Sequence, residues 1–537
     1  MPSRPNTQPW GIPRPRILEA LLLLILLPVA AQATEPNLCT IALNKTIQVN
    51  DTPFFPIGIY YNARELSDTQ KAADLASIAA AGFNLIETSQ IMAWTAPGDF
   101  LDAAHAAHIR VACEVPFDDD ASVDVFVNQW KSKPAIIAWN VADDSHRKFS
   151  IEQVQAMNTR AKQLSPTHLT YQTVYQWQNM GPYMPLTDMV WAYRYPVYNN
   201  PNLTITRTVD LIMDEARAYN TCVLGIPQAY RWEDFPDDRF PSPLEYRTMT
   251  YQYLVNGAKG IVPYSFTDSG RLPDVAPALW AEMAAVNAEL AALAPAILGG
   301  VYSRAVTTNA EGHVPHGIYA YDGGHVVMLT NARDAAKFTV LTLPPGVSGV
   351  LSPLFPGRPQ GLVWDSATLT LSGTVEAGES HVYRIEPPLS AVETWRRTYF
   401  GVRMPSGSTA DTATPAGDGV PNLLKYAFNM MGNGVGQAST PNTPNPAILA
   451  PSGTAGLPKI GVDGTGKLQL TYIRRKPASA PGITYTVEFS DALSTWAVKP
   501  SASESVTSID ATFERVTVTD SVSSAAKRFA RVRITSL

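Results

Sequence analysis

Residues 135–153 read Ala135-Ile136-Ile137-Ala138-Trp139-Asn140-Val141-Ala142-Asp143-Asp144-Ser145-His146-Arg147-Lys148-Phe149-Ser150-Ile151-Glu152-Gln153. The apolar run Ala135–Asp143 is a strand candidate that ends in acids. A helix start follows, because Ser150-x-x-Gln153 is a capping box in which the serine oxygen accepts a free N–H and the glutamine reaches back. A short apolar run, a polar crossing and a capped helix make one βα unit.

The same unit repeats on both sides. Further strand candidates are Pro56–Tyr61, Phe83–Ser89, Ile109–Pro116, Leu169–Tyr175, Asp188–Pro196, Thr221–Gln228 and Gly260–Phe266. Ser67-x-x-Gln70 and Ser242-Pro243-Leu244-Glu245 start helices between them, the second with proline where no N–H is needed. Eight such units in roughly 240 residues fit a closed barrel better than an open doubly wound sheet, and no glycine-rich phosphate loop follows the first strand. The predicted fold class is therefore α/β: a (β/α)8 TIM barrel over residues 34–295, a β-sandwich over 296–388 and a C-terminal all-β domain over 466–537. Residues 389–465, rich in Pro, Gly, Ser, Thr, Ala and Asn, read as a linker.

Composition narrows the function classes. The chain has 537 residues, 45% of them hydrophobic, and a net charge of −6, which suits a globular protein and gives no reason to expect a nucleic-acid partner. Arg14 and Arg16 precede the apolar run Leu21–Leu27, and Ala31-Gln32-Ala33 matches a small-x-small cleavage pattern. Residues 1–33 are thus expected to be a signal peptide, and the mature protein secreted, periplasmic or at the cell surface. No later segment reads as a membrane span. The three cysteines, Cys39, Cys113 and Cys222, are expected to be free. His105 and His108 lie three apart with no evident third ligand, so neither metal nor cofactor is expected.

In a (β/α)8 barrel the chemistry sits at the C-terminal strand ends. Those ends carry Glu87; Glu114, with Asp118, Asp119 and Asp120 beyond it; Asp143, Asp144 and His146; Trp191, Tyr193 and Arg194; Gln228, Tyr230, Trp232 and Glu233; and Tyr264 and Asp268. Aromatic rings stack on sugar faces, carboxylates and arginine bind hydroxyls, and glycosidic cleavage needs one protonated and one ionised carboxyl.

Three segments carry a resemblance. Ala135 to Ser145 resembles the strand end "P-A-hydrophobic-x-x-W-x-x-x-D-E-P" of barrel glycoside hydrolases related to clan A. Tyr251 to Phe266, containing Asn256-Gly257-Ala258-Lys259-Gly260, is similar to the segment leading into their last strand. Ile226-Pro227-Gln228-Ala229-Tyr230 is similar to the seventh strand of an uncharacterised bacterial branch. The resemblance spans residues 50–295. It implies a secreted glycoside hydrolase acting on an oligo- or polysaccharide, with Asp144 as general acid and Asp143 positioning it. Glu114, Glu233 and Asp268 are the further catalytic candidates. Glu87, Trp139, His146, Trp191, Tyr193, Arg194, Gln228, Tyr230, Trp232 and Tyr264 are the substrate-binding ones. The sequence departs from the pattern at Asp144, where the family has Glu, and at Gln228, near the place of the family's nucleophile. The alternative is a catalytically impaired carbohydrate-binding protein on the same barrel.

Gly417-Asp418-Gly419-Val420-Pro421-Asn422-Leu423-Leu424-Lys425-Tyr426-Ala427 resembles a calcium-loop segment of large secreted proteins of Verrucomicrobia-type bacteria, and Tyr485 to Trp496 resembles the strand pair found after it. Thr414, Ala416 and Lys425 stand where that pattern has acids. The resemblance thus implies a degenerate module for structure, or for association with a surface or polysaccharide, that binds calcium poorly.

Overall fold

The computed structural model describes residues 36–537 except 90, 117–119, 176–177, 198–205, 233–238, 308–313, 499–502 and 524–526. The proposed signal peptide and Glu233, Asp118 and Asp119 lie outside the described residues.

A small antiparallel meander, β1 Cys39–Ile41, β2 Ile47–Val49 and β3 Thr52–Phe54, opens the structure. Cys39, Ile47 and Val49 cover the barrel's lower end. The barrel strands are β4 Gly58–Tyr60, β5 Leu85–Thr88, β6 Arg110–Glu114, β7 Ile136–Ala142, β8 Leu169–Val174, β9 Met189–Arg194 and β10 Cys222–Pro227. They pair in parallel and in sequence order. Residues 259–264 close the circle as the eighth strand. On one side Gly58 donates to the Ile261 carbonyl at 2.7 Å, and on the other Val262 donates to the Gly225 carbonyl at 2.8 Å. Bridges Ile57–Ile261 and Gly225–Ile261 confirm both pairings. The (β/α)8 barrel is thus complete.

Side chains along each strand alternate between inside and outside. Outward residues such as Ile59, Ile86, Val111, Val190 and Ile261 pack on the helices in one large core. Those helices include α1 Asp68–Ala80, α2 Pro97–Ala106, α3 Asp120–Trp130, α4 Ser145–Lys148, α5 Ile151–Leu164, α6 Thr206–Ala218 and α7 Pro243–Val255. Both halves of the capping box form at Ser150 and Ser242. At Ser67 only the serine half forms, because the Gln70 amide donates to Asp74 at 2.9 Å instead. Inward, Leu85, Ala112, Ala138, Tyr171, Trp191, Leu224 and Val262 fill the barrel. Gly58 completes this layer, since a Cβ there would meet Val262 at 3.0 Å and Leu85 at 3.1 Å.

After α8 Leu272–Val275 comes α9 Pro277–Gly299, long and apolar enough to cross a membrane by length and composition. This corrects the expectation that no segment after the leader has that character. In the fold α9 buries Met283, Val286, Leu290 and Leu293 in the barrel core, and its buried Glu289 pairs with Arg247 of α7 at 2.9 Å.

Residues 301–386 form a five-stranded and a four-stranded antiparallel sheet around Ile318, Val327, Leu329, Leu341, Leu371 and Ile385. This sandwich seats on the barrel: Tyr319, Val326, Met328 and Val382 belong to the barrel's own core, and Arg247 donates to the Ser380 carbonyl at 2.6 Å.

The segment 389–465, expected as a linker, is folded. Trp395, Tyr426, Phe428 and Met430 share a core with Leu470, Tyr472, Val487 and Val516 of the last sheets. Its polar composition serves main-chain satisfaction in place of ladders. Asn422 donates to the Ser408 and Ala410 carbonyls, and Asn445 to those of Met430 and Gly436. In the calcium-loop-like turn, the Lys425 ammonium lies 3.0 Å from the Asp418 carboxylate, both nearly fully buried. The three cysteines are buried free thiols.

Candidate active site

One step above the filled layer, each strand presents one more inward residue: Tyr60, Glu87, Glu114, Asn140, Thr173, Tyr193, Ile226 and Tyr264. All eight line a single cavity of about 420 Å³. Period-two alternation alone brings them together, since each lies two residues beyond a residue of the packed layer. The rim adds Asp143, Tyr195, Tyr230, Arg231, Trp232, Asp268 and Ser269. Eight of the sequence candidates therefore converge: Glu87, Glu114, Asp143, Asp268, Tyr193, Tyr230, Trp232 and Tyr264.

Four carboxyl groups face this space. Glu87 is 6% exposed and accepts the Tyr171 hydroxyl at 2.9 Å. Burial pushes its carboxyl up to about 8 against the Tyr171 hydrogen bond, with help from Asp143 and Glu114. Glu114 has no hydrogen-bond or ion-pair partner among the described residues. Burial first, and the nearby Asp143 second, push it up to about 7. Asp143 forms an ion pair with Lys148 at 2.7 Å and accepts the Thr173 hydroxyl at 2.8 Å. Asp268 accepts the Tyr264 hydroxyl and is raised by burial. Tyrosines form a continuous wall: Tyr193 stacks on Tyr195 at 4.7 Å, Tyr195 on Tyr264 at 5.8 Å, and Tyr264 meets Tyr60 at 4.7 Å.

Asp144, expected as the general acid, is not among the residues that line the cavity. The ladder between β7 and β8 slips between Asn140 and Ala142, with the Asn140 side chain accepting from the Ala142 N–H at 3.1 Å. The bulge shifts the alternation by one residue, so Asp143 shares the inner face with Asn140. Asp144 follows in a left-handed turn at φ 52°, where its carboxylate takes the Tyr193 hydroxyl and the Lys148 ammonium. Of the two acids, Asp143 lines the cavity and Asp144 does not.

Five more expectations need correction. Trp139 is fully buried on the outer face of β7, edge-on to Phe126 of α3. Trp191 points inward but one layer too deep, stacked on Tyr171 at 3.8 Å. Arg194 faces the opposite side of β9 from Tyr193, beside Tyr253 of α7. His146 sits on α4 between Tyr175 and Tyr183, off the cavity. Gln228 is fully buried, accepting from the Val197 N–H and donating to the Val197 and Tyr230 carbonyls. Its amide braces the rim, and it is not among the residues that line the cavity.

Tyr60, Asn140, Thr173, Tyr195, Ile226, Arg231 and Ser269 were missed by the sequence reading. For Tyr60, Asn140, Thr173 and Ile226 a signal was present: counting in twos from the inward apolar residue of each strand reaches them.

Fold and site together define a (β/α)8 barrel with an acidic, aromatic cavity at the C-terminal ends of its strands. Solved structures similar to this chain include a glycoside hydrolase family 5 protein from Bacteroides vulgatus, at 13% identity over 65% of this chain and 93% of that one, TM-score 0.48. The α-amylase of Geobacillus thermoleovorans aligns at 11% identity over 62% and 98%, TM-score 0.41. The β-D-glucuronidase for Dictyoglomus thermophilum aligns at 11% over 47% and 54%, TM-score 0.37. No protein-family model matches the chain, and no curated protein matches it by sequence.

Proposed function

We propose that the chain is an exported glycoside hydrolase that works at this cavity, with Glu114 as general acid and Asp143 as the ionised carboxylate. The observation that carries the reading is Glu114: a carboxyl on the cavity wall with no partner among the described residues, pushed up to about 7 and so part-protonated near neutrality. Glu114 would donate its proton to the glycosidic oxygen as the bond to the anomeric carbon breaks. Asp143, held by Lys148 and Thr173, would attack that carbon or take a proton from the attacking water. NMR of the first-formed anomer separates those two courses.

The test compares natural and activated glycosides. Glu114→Gln should lose about 10²–10⁴-fold in kcat on natural glycosides and much less on aryl glycosides whose leaving groups need no proton. Equal losses on both substrates would remove Glu114 from this role. N-terminal sequencing of secreted protein should begin at Thr34.

A second reading, a sugar-binding protein without turnover, draws on one observation. Gln228 stands near the end of β10 with its amide locked to the main chain, and no described residue there supplies a carboxylate. Glycan binding in calorimetry with no product from any glycoside would select it.

A further inference from the structure

The geometry points to a substrate that carries a protonated amine: a sugar unit with a free amino group, its ammonium held between Glu87 and Asp268 against the Tyr60 and Tyr264 rings. This rests on the glycoside-binding reading of the cavity and names the substrate class within it.

Four observations converge. Cleavage of a glycoside uses two carboxyls, and Glu114 with Asp143 supply them, yet the cavity holds two more. The single cation among the lining residues, Arg231, is exposed at the lip and lies over the Phe240 ring, so the interior wall is acidic. Glu87 is a polar side chain more than nine-tenths buried, and Tyr171 occupies only one of its oxygens. The other has no partner among the described residues. Tyr60 and Tyr264 lie 4.7 Å apart, and Tyr60 is close enough to Glu87 and Asp268 to feel the charge of both. Aromatic faces beside carboxylates are what a desolvated ammonium needs: ring quadrupoles and charge-assisted hydrogen bonds. A neutral hydroxyl gains little from a second pair of carboxyls. An ammonium would also offset the neighbouring negative charge that, after burial, helps hold Glu87 in its protonated form.

The test is a calorimetric or fluorescence titration of the full chain with glucosamine, N-acetylglucosamine and glucose, and with the corresponding tetramers. The free amine should bind about tenfold tighter than either neutral sugar. In Glu87→Gln and Asp268→Asn that preference should fall below about threefold while weak binding of the neutral sugars persists. Equal or tighter binding of the acetylated sugar or glucose, or binding of none of the three, overturns the inference. The two readings fail separately. Hydrolysis of neutral glycosides without amine preference leaves the hydrolase standing and removes the amino sugar. Amine preference without hydrolysis of any glycoside does the reverse.

Discussion

Glu87 and Glu114 occupy equivalent places on neighbouring strands, yet their surroundings differ. Glu87 is sealed in with one oxygen taken by Tyr171, and its carboxyl is pushed up to about 8. The folded state therefore holds a proton that the unfolded chain releases above the usual glutamate range. Stability should fall as pH rises from about 4.5 to about 8, by on the order of 5 kcal/mol, and stay low above that. Glu87→Gln has no such proton to lose, so its melting temperature should drop less than the wild type's between pH 5 and pH 9. Parallel slopes for the two proteins would contradict this. Asp143 and Asp144 show what the sequence could not convey. Both acids were legible at the strand end, but which one faces inward depends on the slip at Asn140–Ala142, and a bulge leaves no mark in the residue pattern. Asp143→Asn should therefore cost about 10²–10⁴-fold in turnover. Asp144→Asn, which releases only Tyr193 and Lys148, should stay within about tenfold. The reverse order would restore Asp144 to the catalytic role.

At the scale of elements, strands and caps were readable because burial and capping are local in sequence. Seven predicted strands contain the observed ones and the eighth overlaps residues 259–264, and Ser150 and Ser242 start α5 and α7 as expected. Contacts between elements were not readable. Gly225 lies on the outer face of β10, where an added Cβ would come within 2.2 Å of the Tyr253 ring of α7. Gly225→Ala should destabilise by about 1–3 kcal/mol, lowering the denaturant midpoint without changing the slope. An unchanged midpoint would mean that α7 does not seat directly on the strand. Residues 389–465 were misread for a similar reason: composition shows scarce ladders but cannot show asparagine side chains doing the ladders' work. Within that segment, Lys425→Met leaves the Asp418 carboxylate buried without its cation and should cost about 3–5 kcal/mol. Thermal melts of the two proteins side by side check it, and a shift near zero would show that the pair is dispensable.

Across the whole molecule, the barrel and sandwich share one core, while the C-terminal module meets the sandwich through polar contacts such as Arg397–Glu386 and the Arg403 N–H to Asp322. A chain ending at Pro388 should remain soluble and melt cooperatively, about 2–5 °C lower. Aggregation of that chain would show that the module is needed to fold the barrel. The account as a whole rests on a cavity-wall carboxyl, without a partner among the described residues, acting as a proton donor. The pH dependence of kcat/KM tests this most directly, since it reports the free enzyme's essential groups. The wild type should lose activity on the alkaline side with a midpoint near 7, and Glu114→Gln should lack that limb on an activated aryl glycoside. The same alkaline limb in both proteins, or a flat wild-type profile from pH 5 to pH 9, would contradict it.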